Sequence, residues 1–185
     1  AFERRPLPWD ERGKLIGVPG EVAGLYALHK RFGKRTWKQV VEPAVRAARA
    51  GFPVESHLAK MLVYGAKTLQ QDAGISSVFY PQGKAAAQGN LLKNPKLADT
   101  LEQIGEHGPS VFYTGAIAQD IVDSAKAAGG ALTLADLSGY KPIERKPLVA
   151  DWDGHRVYSM PPPSAGGMML IQALRLFSKP ELVKL

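Results

Sequence analysis

The sequence predicts an α+β fold, mainly helical, with one β-hairpin near its C-terminal end. Three observations predict it. From about residue 16 to residue 135, apolar residues recur at helical spacing between capping residues and glycine stops. Residues 140–160 then turn rich in strand formers around Asp153-Gly154, a dipeptide suited to a two-residue hairpin turn. From Ala165 the helical period returns in AGGMMLIQALRLF.

Taken in order, Gly17-Val-Pro-Gly20 makes a turn into a helix with Val22, Leu25, Tyr26 and Phe32 on its apolar face, closed by Gly33. Thr36-Trp-Lys-Gln39 has the spacing of a capping box and opens a second helix. Pro43 inside that helix removes one backbone bond and is expected to kink it, and Gly51 ends it. Ser56 is the expected cap of a third helix, with Leu58, Met61 and Leu62 inward and Gly65 as its stop. Residues 66–93 are less regular, and SSVFYPQGK reads as a short extended segment and a turn.

Asn94-Pro95 supplies a cap followed by proline at the first helical position, with Leu97, Leu101 and Ile104 at helical spacing. Gly108-Pro109 breaks this helix. Another runs from about Ser110 to Ala128, with Gly115 as a point of interruption and Phe112, Ile117, Ile121 and Ala125 inward. Gly129-Gly130 closes it, and Thr133-Leu-Ala-Asp136 caps a short turn. Two strands cannot bury a face alone, so the hairpin is expected to join further sheet, and the whole chain, residues 1–185, reads as a fragment of one domain. Within it, residues 16–135 form the helical region, and residues 136–185 form the hairpin, a PPPSAGG connector and a helix.

Composition excludes several chemistries. No cysteine is present, so disulfides, thiolate catalysis and cysteine-based zinc sites are ruled out. A formal charge of +7 suits an acidic partner, but no basic run exceeds two residues, which argues against nucleic acid. No stretch approaches the roughly 18 apolar residues of a membrane span.

A serine nucleophile elbow needs G-x-S-x-G, and Pro162 stands two residues before Ser164. The phosphate-loop and dinucleotide patterns are likewise missing. His29, His57, His107 and His155 are not spaced as a metal pair on one helix face, and Asp151 and Asp153 read as turn residues. Ser164, Gly166 and Gly167 could present amides to an anion at a helix start. The plainer reading is favoured: residues 161–163 hold an extended polyproline-like path, Ser164 caps the helix, and the glycines allow close backbone packing.

Two stretches together are recognisable, IGVPGEVAGLYALHKRFGKRTWKQVVEPAVRAARAGFPV (residues 16–54) and DLSGYKPIERKPLVADWDGHRVYSMPPPSAGGMMLIQAL (residues 136–174). Both resemble the γ-glutamyltranspeptidase family, also called glutathione hydrolases. Between them, residues 97–133 are similar to the family's linking helices, including a G-P-x-x-F-Y-x-G element at Gly108 to Gly115. The likeness is collinear from about residue 16 to residue 177 and falls in the interior of the large subunit.

The resemblance implies an N-terminal-nucleophile hydrolase with a four-layer αββα fold. In such proteins a precursor cleaves itself, and a threonine becomes the first residue of the small subunit. That threonine attacks the γ-glutamyl amide of glutathione with its own amine as base, then passes the γ-glutamyl group to water, an amino acid or a peptide. No cofactor is implied. The implied partner is the small subunit, and the implied location is periplasmic or extracellular.

None of Thr36, Thr68, Thr100, Thr114 and Thr133 stands in the family's T-T-H-F or T-T-H-Y setting, and residue 1 is Ala1. No catalytic residue is therefore assigned within this chain, and the chain by itself is expected to be inactive. An F-R-E-x-A-P-like element holds the substrate α-carboxylate in the family; Phe2-Glu3-Arg4-Arg5-Pro6 has similar letters in another order, which makes Arg4 and Arg5 the candidates. The family's P-P-P-S-S-G-G corresponds to Pro161, Pro162, Pro163, Ser164, Ala165, Gly166 and Gly167, with Ala165 departing from the second serine. Two other readings remain open at the level of sequence: a non-catalytic helical binding module for an acidic partner, and a poly-γ-glutamate-processing relative.

Overall fold

The computed structural model describes residues 9–177. The chain divides into two compact units, one ending at Pro142 and one beginning at Ile143.

In the first unit a 3-10 turn, Trp9–Leu15, precedes α1, Glu21–Phe32. Then follow α2 (Trp37–Ala50), β1 (Phe52–Pro53), α3 (Ser56–Leu69), α4 (Ala73–Phe79), a 3-10 turn (Pro81–Gly83) and β2 (Leu91–Leu92). The unit continues with α5 (Pro95–His107), α6 (Ser110–Tyr113), α7 (Gly115–Ala127) and α8 (Leu134–Ser138).

Several starts and stops follow the sequence rules. The Thr36 hydroxyl accepts from the Gln39 amide at 3.3 Å while the Gln39 side chain accepts from the Thr36 amide at 3.0 Å, a complete capping box. The Asn94 side chain accepts from Leu97 N at 3.1 Å, with Pro95 in the first turn. Gly115, at φ +75°, separates α6 from α7 where interruption was expected. The inward face of α7 is Ala118, Val122 and Ala125, with Ile121 partly buried beside them. α2 is a single helix from Trp37 to Ala50 through Pro43.

Four expectations are corrected here. Glu55, not Ser56, is the residue before α3, and it makes no side-chain cap. Gly65 does not stop α3, which runs four residues further; a Cβ at Gly65 would meet the Leu69 side chain at 2.8 Å, so the glycine leaves room for that leucine. The segment expected to be extended holds α4, because the Asp72 carboxylate accepts from Ile75 N at 2.7 Å and caps it. A second antiparallel pairing, Phe52 with Leu92 and Pro53 with Leu91, also joins chain segments about forty residues apart.

Three apolar clusters hold this unit. Tyr113, Ala118, Val122, Ala125, Leu132 and Leu137 form one. Val54, Leu62, Tyr80, Ala86 and Leu92 form another, where the buried Tyr80 hydroxyl donates to Leu62 O at 2.7 Å. Val45, Ala48 and Ala98 seal α2 against α5. There the Trp37 indole donates to Ile104 O at 2.9 Å, and Arg49 reaches both Asp99 and Glu102.

The second unit is the hairpin and the last helix. β3, Leu148–Trp152, pairs antiparallel with β4, His155–Ser159, through Asp153 (φ +48°) and Gly154 (φ +75°). Positive φ at both positions is the type I′ turn that the dipeptide announced. Asp151 is a strand residue, not a turn residue, and accepts from Arg156 Nε at 3.1 Å across the pair. α9, Ala165–Leu176, packs on this hairpin, with Ala150, Gly167 and Ile171 buried.

Candidate functional site

In the first unit the motif residues converge on Tyr113. Gly20 precedes α1 and has no side chain with which to cap it, so the early amides of that helix need another acceptor. Tyr113, ninety residues later, supplies it: its hydroxyl accepts from Ala23 N at 3.1 Å and donates to Pro19 O at 2.7 Å. The ring stacks on Tyr140, centroids 5.7 Å apart and planes 16° from parallel, and meets Phe112 edge-on. A Cβ on Gly20 would run into the Tyr140 hydroxyl, so glycine is required by close approach. Burial pushes the Tyr113 hydroxyl pKa up, the Ala23 N–H bond opposes that rise, and Tyr140 adds to it. The GVPG turn, the F-Y pair and the G-Y pair are thereby locked together by one aromatic group.

In the second unit the connector is a turn rather than an extended polyproline path. Ser164 N donates to Pro161 O at 3.2 Å, and the Pro162-Pro163 bond is cis. Ser164 occupies the position before α9 with an extended backbone, yet its exposed hydroxyl makes no capping bond, which corrects the expected cap. The glycines behave differently from each other. A Cβ on Gly167 would collide with the Met160 carbonyl and come within 3.0 Å of Met160 N, whereas Gly166 has only the Ser164 Oγ nearby, at 3.9 Å. Close packing was expected of both and is made by Gly167 alone.

The remaining sequence candidates separate as follows. Arg4 and Arg5 lie outside the described residues. The His29 ring bonds the Arg35 carbonyl at 2.9 Å and lies edge-on to Trp37, a structural position. Among the described residues no three His, Asp or Glu side chains are grouped to hold a metal ion. No helix among them is long and apolar enough to cross a membrane.

Among the described residues, two of the hollows of the first unit exceed 600 Å³. One, of about 680 Å³, is lined by Arg12, Asp72, Thr100, Asp120 and Ser124 among apolar neighbours. The other, of about 670 Å³, is almost wholly apolar and runs between α1, α2 and α5. Neither is lined by a connector residue. The arrangement can position and pack. Sequence reasoning missed Tyr113 and Tyr140 as the joint between motifs. The signal was the aromatic pair inside the glycine-bounded element at Gly108 to Gly115, but its partners lie too far away in sequence to be named.

The comparisons with known proteins agree along almost the full length. A family model described as gamma-glutamyltranspeptidase matches residues 7–184. Glutathione hydrolase 2 of Arabidopsis thaliana is 43% identical over 164 residues, covering 87% of this chain and 28% of that protein. The glutathione hydrolase proenzyme of Escherichia coli is 38% identical over 169 residues, 91% of this chain and 29% of that protein. Among solved structures, Helicobacter pylori gamma-glutamyltranspeptidase aligns with a TM-score of 0.84 at 34% identity, over 88% of this chain and 47% of that one. The Bacillus anthracis transpeptidase enzyme CapD aligns with a TM-score of 0.82 at 36% identity, over 91% and 57%. The chain therefore spans under a third of the length of these two curated relatives, and it carries a portion of an N-terminal-nucleophile hydrolase fold. This chain belongs to the γ-glutamyltranspeptidase family.

Proposed function

We propose that the chain is a large-subunit portion of a γ-glutamyltranspeptidase, supplying scaffold to an enzyme whose catalytic threonine lies in another segment. The whole enzyme would cleave the γ-glutamyl amide of glutathione and pass the acyl group to water, an amino acid or a peptide. The observation that carries this reading is the match from residue 7 to residue 184, a range that includes the GVPG turn, the Gly108 to Gly115 element and the connector at residues 161–167. The second unit supports it. Val149, Tyr158 and Met160 of the hairpin segment and Met168, Met169 and Leu170 of α9 are exposed, apolar surface suited to further layers of an αββα fold.

In this reading Arg4 or Arg5 holds the substrate α-carboxylate, the partner is the small subunit, no cofactor takes part, and the enzyme works in the periplasm or outside the cell. The connector at residues 161–167 acts by geometry, aiming α9 from the end of β4.

The test is release of nitroaniline from a γ-glutamyl nitroanilide. The purified chain alone should release none above buffer; turnover that disappears on substitution of a residue of this chain would sink the reading.

A further inference from the structure

We propose that the apolar hollow between α1, α2 and α5 is a binding site for a neutral, largely hydrocarbon small molecule that carries an aromatic ring. The hollow, of about 670 Å³, is lined by residues of the first unit alone. Small-molecule sites of roughly 300–1,000 Å³ are mostly apolar and largely formed before the ligand arrives. This one is built in that way. Trp37 stands at its wall and ties the three helices together. The indole N–H donates to Ile104 O of α5 at 2.9 Å, and the ring lies edge-on to Tyr26 and His29 of α1, with centroids 5.2 Å apart in both pairs. Val45, Ala48 and Ala98 seal α2 against α5 and hold that side in place.

The wall fixes the chemistry of the ligand. Among the described lining residues, Glu21 and His29 are the ionisable ones, and the others are aliphatic, aromatic or glycine. Trp37 commits its single donor to Ile104, so the indole has no bond to offer a polar headgroup, and His29 Nε2 is engaged with the Arg35 carbonyl at 2.9 Å. Glu21, exposed in the first turn of α1, repels an anion. A cation beside it is opposed by the positive end of the α1 dipole. A neutral ligand meets neither penalty, and the rings of Trp37 and Phe32 favour an aromatic one.

Leu25, Leu28, Phe32 and Val40 line the hollow yet are exposed, Phe32 by 64%, so a ligand seated there removes apolar surface from water. The other large hollow of this unit differs. Its wall includes Arg12, Asp72 and Asp120, charged groups that a hydrocarbon ligand would strip of water. Val63 and Tyr64 of α3 are exposed too, but they line neither of these two hollows.

The test titrates the chain with N-phenylnaphthylamine, a neutral probe that brightens in apolar sites, beside anilinonaphthalene sulfonate, the same ring system bearing an anion. The neutral probe should bind saturably, one molecule per chain, and about tenfold or more tightly than the sulfonate. Val40→Asp puts a carboxylate in the wall and should weaken the neutral probe about tenfold or more. Leu28→Asp, on α1, should do the same and carries the prediction if the first variant fails to fold. Val63→Asp makes the same kind of change outside the hollow and should leave the affinity unchanged. Glu21→Gln should narrow the gap between the two probes. Equal losses in Val40→Asp and Val63→Asp, a sulfonate bound as tightly as the neutral probe, or no saturable binding would overturn the proposal. So would a dimer of the chain, seen by sedimentation, that Val40→Asp dissociates, because a second copy would then fill the hollow.

Discussion

The Tyr113 hydroxyl donates to the Pro19 carbonyl at 2.7 Å across ninety-four residues of chain. The same oxygen accepts from Ala23 N, so one side chain fixes both the turn before α1 and one amide in the first turn of that helix. Family-motif residues far apart in sequence meet there, and they do so for packing and hydrogen bonding.

Tyr113→Phe keeps the ring and its stack on Tyr140 but leaves the Pro19 carbonyl and Ala23 amide without their partner. The expected cost is about 1–3 kcal/mol of stability, measured by urea unfolding of the chain. Tyr113→Ala also removes the ring and should cost more, about 3–5 kcal/mol. A Phe variant as stable as the parent would show that water replaces both bonds.

The Tyr113 pKa is raised on folding, mainly by burial. The fold therefore favours the neutral hydroxyl. Its contribution is fully present below the unfolded pKa of about 10 and is lost as the pH rises through the higher folded value. Stability measured from pH 8 upward should fall in the alkaline range, and less steeply in Tyr113→Phe. Identical alkaline slopes would remove Tyr113 from the explanation.

Gly166 and Gly167 should respond in opposite directions to the same substitution. Gly167→Ala places a Cβ against the Met160 backbone, which cannot swing away as a side chain could, and should cost about 1–3 kcal/mol or more. Gly166→Ala meets open space inside α9 and should stabilise by up to about 1 kcal/mol. Thermal unfolding of the two variants side by side decides the matter.

Thr36 and Ser164 both precede helices, but only the first caps one. Thr36→Ala should cost about 1 kcal/mol, and Ser164→Ala should stay within about 0.5 kcal/mol. Equal losses in denaturant unfolding would mean that the Ser164 hydroxyl acts as a cap in solution.

What could be read in the sequence was local. The Thr36 box, the Asn94 cap, the break at Gly115 and the turn at Asp153-Gly154 each depend on residues within a few positions of one another. What could not be read was made in part by distant partners. α4 forms within a stretch whose Tyr80 bonds back to α3, and β1 with β2 is two residues long and closed by a loop of about forty. Gly65 reads as a stop by propensity but lies inside α3, where Leu69 fills the space beside it. The proline connector was legible as a strand-to-helix link, while its turn and the idle Ser164 hydroxyl depend on how β4 meets α9. Arg4 and Arg5 fall outside the described residues.

The most direct test transplants residues 16–177 into the aligned segment of the Escherichia coli glutathione hydrolase proenzyme, to which this chain is 38% identical. Nitroaniline release from a γ-glutamyl nitroanilide is then measured for the chimera beside this chain alone. The expected result is a folded chimera that releases product, and a chain alone that does not. Turnover by the chain alone, or a folded chimera that is silent, would show that these residues do not serve as the enzyme's scaffold.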